Sequence, residues 1–198
     1  MGLLIRPATS DDADALMALR IEAEEWLAAA GIDQWRSPGF RDRALAKWRT
    51  DIEEGRTWVV PGPRREILGT VTLARADRDF WDDDDDPDSA IYVAKLITAR
   101  AAGGRQLGGR LLDWVGGVAR RTEVPWVRLD VWRANERLQR YYLDEGFTHL
   151  RTEAPSHRLS GWMAQRPAST VMHPGSPLEE LCDGPAPRPP TASINQPS

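Results

Sequence analysis

Between Ala102 and Arg110 the sequence AGGRQLGGR places four glycines and two arginines within nine residues, directly ahead of an apolar helical pattern. A helix N-terminus presents unpaired amides and a partial positive charge, and glycines let a ligand approach the backbone, so the stretch has the make-up of a phosphate cradle. Residue types exclude two familiar cradles. Gly103 and Gly108 have the spacing of a nucleotide-hydrolase P-loop, but Gly109 and Arg110 follow where a lysine and a magnesium-binding hydroxyl are needed. A dinucleotide-binding Gly-x-Gly-x-x-Gly is absent, and the stretch follows the fourth strand-like run rather than the first. What remains is a diphosphate held mainly by backbone, or an ordinary glycine-rich turn with its arginines in water.

Periodicity supplies the elements around this loop. LLIRPA reads as a first strand, and Leu16, Leu19, Ala23, Trp26, Leu27 and Ala30 recur at helical spacing behind a capping box of Thr9 and Asp12. A second helix starts at Ser37-Pro38, carries Phe40, Ala44, Leu45, Trp48 and Ile52 on one face, and stops at Gly55. RTWVVP and REILGTVTLARA, joined by Pro61-Gly62-Pro63, read as a hairpin. The acidic DRDFWDDDDDPDSA is a loop and AIYVAKLITARA a strand. The glycine stretch then opens a helix with Leu107, Leu111, Trp114, Val115 and Val118 on one stripe, followed by the strand WVRLDVW. Strand, helix, strand implies a right-handed crossover between parallel neighbours. A short helix capped by Asn135 and ended at Gly146 precedes two final strands, FTHLRTE and HRLSGWMAQ. The order predicts an α/β fold built on a mixed sheet of about seven strands with about four flanking helices.

In this setting, YVAKLITARAAGGRQLGGRLLDWV followed by VRLDVWRANERLQRYYLDEGF resembles the GNAT-type N-acetyltransferase superfamily, over nearly all of residues 3 to 165. The resemblance implies a mostly antiparallel sheet and acetyl-CoA as co-substrate, its diphosphate held by Gly104, Arg105, Gln106, Leu107, Gly108, Gly109 and Arg110. The family loop, Gln/Arg-x-x-Gly-x-Gly/Ala, puts Gly103, Gln106 and Gly108 at its three defined positions. Only the last glycine is kept, and Gln106 adds a side chain where the backbone is usually bare. The resemblance also implies that Leu96, Ile97 and Thr98 pair with the pantetheine arm as an added strand, a backbone amide there polarising the thioester carbonyl. Taken alone, those three residues read as a core strand. The family's asparagine, and its tyrosine four residues before a Gly-Phe step, fall on Asn135 and Tyr142, with Tyr141 out of register. Tyr142 is then the general acid, because a phenol with an ordinary pKa near ~10 can protonate a departing thiolate; taken alone, it packs on Leu138. Asn135 bonds the pantetheine, caps its helix, or does both.

The implied reaction is transfer of an acetyl group to a primary amine, by direct attack in a ternary complex and without a metal or a nucleophilic side chain. The alternative is a non-catalytic acyl-CoA-binding or sensor module of the same fold. Carboxylates that could take the amine's proton are abundant: Glu22, Glu24, Glu25, Asp79 and the run from Asp82 to Asp86. Runs of like charge stay in water, and together they attract cations. Trp26, Trp35 and Trp81 either line an acceptor pocket or belong to the core.

At 198 residues the chain can bury one sizeable core, and a net charge of −4 argues against a general nucleic-acid binder. The lone Cys182 allows no internal disulfide, and the N-terminus turns acidic before any long apolar run, so neither a signal sequence nor a membrane span is expected. These features predict a cytoplasmic protein, and the resemblance implies a small-molecule or peptide amine as its acceptor. The catalytic domain is expected over residues 1–166. Eight of the fifteen prolines fall in residues 167–198, predicting an unfolded tail, with docking of a partner through a short segment around Leu178 to Leu181 as the lesser alternative. Exposed tryptophans and a sheet edge at HRLSGWMAQ offer a surface for a homodimer.

Overall fold

The computed structural model describes residues 2–32, 39–64 and 66–181, so Trp35, the Ser37-Pro38 helix start and Cys182 lie outside the described residues. Thr9 and Asp12 form the expected capping box: the Asp12 carboxylate accepts the Thr9 amide at 2.7 Å and is gripped at two points by Arg6. The box closes a short 3-10 turn that carries β1 (Leu3–Pro7) into α1 (Ala13–Ala29), which buries Leu16, Leu19 and Leu27. The second helix, α2 (Phe40–Glu53), ends ahead of Gly55, whose φ of 69° suits a residue without a side chain.

β2 (Thr57–Pro61) and β3 (Ile67–Ala74) form the expected antiparallel hairpin. β4 (Ala90–Thr98), α3 (Leu107–Arg121) and β5 (Trp126–Trp132) make the crossover unit with β4 and β5 parallel. α4 (Glu136–Asp144), β6 (Thr148–Thr152) and β7 (Ser160–Pro167) follow, and a final short strand, β8 (Leu178–Glu180), completes one eight-stranded sheet. The strand order is β6-β7-β5-β4-β3-β2-β1-β8, antiparallel throughout except for β4 with β5 and β1 with β8.

Alternating strand residues feed three buried clusters among the described residues, the smallest joining Tyr92 and Met163 to Phe80 and Trp81. Trp58, Val127, Leu129 and Val131 join the α3 stripe of Leu107, Leu111, Trp114, Val115 and Val118 on one face. Val59 and Ile97 join Leu16, Leu19 and Trp48 of α1 and α2 on the other. Each fully buried aliphatic side chain of this kind stabilises by roughly 1.5–3 kcal/mol, so the sheet is clamped from both sides.

Three expectations change. The sheet has eight strands rather than about seven. β7 lies between β5 and β6, so HRLSGWMAQ offers no free edge for a dimer. The described chain also stays packed beyond Arg166: Ala168 is buried, the Asp113 carboxylate accepts the amides of Met172 and His173, and Leu178–Glu180 pairs with β1. That segment is held mainly by polar bonds, with only Ala168 and Leu178 of its described residues meeting the main core, which is why its composition reads as unfolded. No described helix is long and apolar enough to cross a membrane.

Candidate active site

β4 and β5 pair only at Ala90 with Trp126, Ile91 with Val127 and Tyr92 with Arg128. Beyond Tyr92, β4 stays with β3 and β5 stays with β7, so the two parallel strands part toward their C-terminal ends. In α/β sheets a ligand crevice forms where carboxyl ends of neighbouring strands diverge. Here α3 begins at the end of β4 and α4 at the end of β5, so both helix N-termini face the same opening.

The glycine stretch forms the α3 side. Gly104 (φ 76°) and Gln106 (φ 50°) both sit in the left-handed region. That conformation explains why the family favours glycine at the Gln106 position: a residue with a Cβ carries a cost of roughly 1–2 kcal/mol there. Among the described residues, the amides of Gln106, Leu107, Gly108 and Gly109 have no backbone acceptor, as expected for the first turn of a helix. The Arg105 amide is used by the Ala102 carbonyl. Arg110 leaves the expected set, because its amide donates to the Gln106 carbonyl and its buried guanidinium turns to the Pro177 carbonyl. Close packing dictates the last two glycines. A Cβ on Gly108 would lie 2.4 Å from the Tyr141 hydroxyl, and one on Gly109 would lie 2.0 Å from His173 Nε2.

On the β4 wall, Ile97 is buried toward α1 while Leu96 packs against the opposite core and Thr98 is exposed. On the α4 wall, Asn135 caps the helix, its side-chain oxygen accepting the Leu138 amide at 3.0 Å. Tyr142 is 5% exposed and meets Phe147 edge-on at 5.6 Å. Burial, with a smaller push from Asp130, raises the Tyr142 hydroxyl well above the usual phenol range and keeps it protonated. Tyr141 is raised in the same direction by its own burial, but lies against Gly108 at the loop.

Asp130 is the site residue that sequence reasoning missed. It alternates with Arg128 and Trp132 along β5, past the last residue paired with β4, and is half-buried. Burial lifts its carboxyl above the ordinary range; a Ser160 hydrogen bond opposes this, and Asp77, Arg158 and Lys47 add charge around it. A carboxylate inside an otherwise strand-like run, WVRLDVW, was the available signal.

Of the carboxylates singled out from the sequence, Glu25, Asp84 and Asp86 are exposed, and several others are engaged elsewhere. Glu24 is buried between Arg20 and Arg41, Glu22 accepts the Arg100 amide, and Asp79 pairs with Arg158. Asp85 is held at two points by Arg151, and Asp82 caps a short turn. Trp81 is fully buried beside Tyr92, so it belongs to the core; Trp26 is half-buried with Arg100 and Arg137 over its ring.

A mixed sheet whose parallel β4 and β5 part over two helix N-termini is the fold shared with solved GNAT-family acetyltransferases. No protein-family model matches it. The chain is similar to the uncharacterized N-acetyltransferase YesJ of Bacillus subtilis (strain 168), with 28% identity over 162 residues, 80% of this chain and 88% of that protein. Among solved structures it is similar to a GNAT-family acetyltransferase of Listeria monocytogenes 4b F2365, at a TM-score of 0.68 and 23% identity over 83% of this chain and 94% of that one. The PaiA N-acetyltransferase of Thermoplasma acidophilum, solved in complex with coenzyme A, matches at a TM-score of 0.61 and 15% identity over 84% and 99%.

Proposed function

We propose that this protein is an N-acetyltransferase that moves the acetyl group of acetyl-CoA onto a primary amine by direct attack, acting in the cytoplasm on a small-molecule or peptide acceptor. The observation that carries the reading is the pair Tyr142 and Asp130 at the parting of β4 and β5, with the unpaired α3 amides at the same end of the sheet. The residues fit an extended ligand with a diphosphate: the amides from Gln106 to Gly109, loosened by Gly104, for the diphosphate, and the free edge of β4 at Leu96, Ile97 and Thr98 for the pantetheine. Relatives named as N-acetyltransferases, one of them bound to coenzyme A, support the same reading.

Acetyl-CoA supplies a thioester carbonyl. Asp130 takes a proton from the acceptor ammonium, which a raised carboxyl pKa favours. A backbone amide of β4 polarises the carbonyl oxygen, and the Tyr142 hydroxyl gives its proton to the departing sulfur. Asn135 fixes the first turn of α4 and so the direction of Tyr142.

Gln106 favours a second reading, a non-catalytic acyl-CoA sensor, because it brings strain and a side chain to the loop. A thermal melt with acetyl-CoA, combined with thiol release over a panel of amines, separates the two. Ligand at 100 times its dissociation constant stabilises by about 2.7 kcal/mol. A shift together with turnover supports the transferase; a shift without turnover on any amine supports the sensor; no shift contradicts both.

A further inference from the structure

Lys95 has φ 50° in the middle of β4, a conformation that residues with side chains rarely adopt. The register slips at the same place. Thr70 faces Ile97 and Thr72 faces Ala94, so Lys95 and Leu96 together oppose Val71. Such a bulge takes a residue out of the ladder and re-aims the backbone. Glycine would adopt this shape without strain, yet the chain carries a lysine and a buried partner for it.

The Lys95 ammonium is ion-paired with Asp51 of α2, and its side chain is only 13% exposed. It lies 5.5 Å from the centroid of the fully buried Trp48 ring. Asp51 is 2% exposed and also accepts Arg56 Nη2 at 2.7 Å. The charged groups around Lys95 are Asp51, Lys47 and Arg56. A buried ion pair adds little stability over an apolar pair, and in some proteins its role is to fix geometry. α2 thus grips the bulge from the face opposite α3 and α4.

We propose that Asp51 and Lys95 are positioning residues, pinning the β4 bulge so that its backbone amide points at the thioester carbonyl of acetyl-CoA. The assignment rests on the transferase reading for its ligand. Lys95→Gly is the decisive variant, since glycine accepts the left-handed conformation and Asp51 keeps Arg56 as a partner. Lys95→Arg restores the charge and its reach.

The variants are compared by acetyl-CoA affinity, by kcat and KM, and by the carbon-13 resonance of the bound [1-13C]acetyl carbonyl. Lys95→Gly is expected to fold and to bind acetyl-CoA nearly as the parent does. Its kcat falls by about 30-fold or more, within reach of the loss seen when an oxyanion donor is removed. Its carbonyl resonance moves back toward that of free acetyl-CoA, and Lys95→Arg recovers most of both signals. A folded Lys95→Gly with the parent's kcat and carbonyl resonance overturns the assignment. So does a loss of kcat that merely tracks lost affinity and lowered melting temperature. If the parent binds acetyl-CoA but acetylates no amine, the transferase reading fails, and the carbonyl resonance still decides whether the pin orients the bulge.

Discussion

In the proposed reaction, Asp130 and Tyr142 divide the proton transfers through their surroundings. Burial raises both groups, which holds the phenol in its acid form and makes the carboxylate a stronger base. The rate at limiting substrate should therefore climb with pH through a carboxyl pKa above the ordinary range. Asp130→Asn should remove that limb from the pH profile and lower kcat/KM by roughly 100-fold or more. The stability effect has the opposite sign. A carboxyl raised in the folded state favours folding when protonated and penalises it as pH rises through the folded value, so Asp130→Asn should melt no lower than the parent at pH 7. Gln106 allows a second test: glycine relieves its left-handed backbone, and Gln106→Gly should gain up to about 1 kcal/mol in a urea melt while acetyl-CoA still binds. The sequence flagged Gln106 because a family pattern expects glycine there, and the φ angle supplies the reason. Asp130 was not legible, because alternation marks WVRLDVW as a strand without revealing that β4 abandons it halfway.

At the scale of elements, helices and strands with strong periodicity were legible, and segments held by polar bonds were not. The stripe on α3 and the capping box before α1 declare themselves in residue spacing. The acidic loop does not. Its aspartates read as a solvated patch, and Asp82, Asp83, Asp84 and Asp86 are indeed exposed, but Arg151 grips Asp85, and Arg128 donates to the Asp85 and Asp86 carbonyls. The Arg151 guanidinium holds the Asp85 carboxyl below its usual range. Its contribution is present above the unfolded pKa near ~3.9 and lost as pH falls through the lower folded value. Arg151→Ala should cost about 1 kcal/mol at pH 7, the upper end for ion pairs partly open to water, with parent and variant converging in acid melts. The segment after β7 was hidden for a related reason. Proline-rich composition reports poor apolar burial, whereas this segment is tied to α3 through Asp113 and through Trp114 donating to Glu180 at 2.8 Å, and to the end of α4 through the His173 and Glu145 pair at 2.9 Å. Ending the chain at Arg166 should lower stability by roughly 2 kcal/mol, since amide bonds to a carboxylate are among the stronger ones, and should be read in a urea melt.

Across the whole molecule, the sheet converts a crossover rule into a site. β4 and β5 are parallel neighbours because α3 connects them, and they part because β3 and β7 hold each on its outer side. The opening therefore collects two helix N-termini, a free strand edge, a protonated phenol and a half-buried carboxylate from stretches far apart in sequence. Tyr142 tests this convergence most directly. Thiol release from acetyl-CoA with an accepted amine should be measured for the parent and for Tyr142→Phe at equal acetyl-CoA occupancy. Tyr142→Phe should bind acetyl-CoA as the parent does and lose about 100-fold or more in kcat, the scale of a lost general acid. Turnover unchanged in Tyr142→Phe would contradict the proposed site.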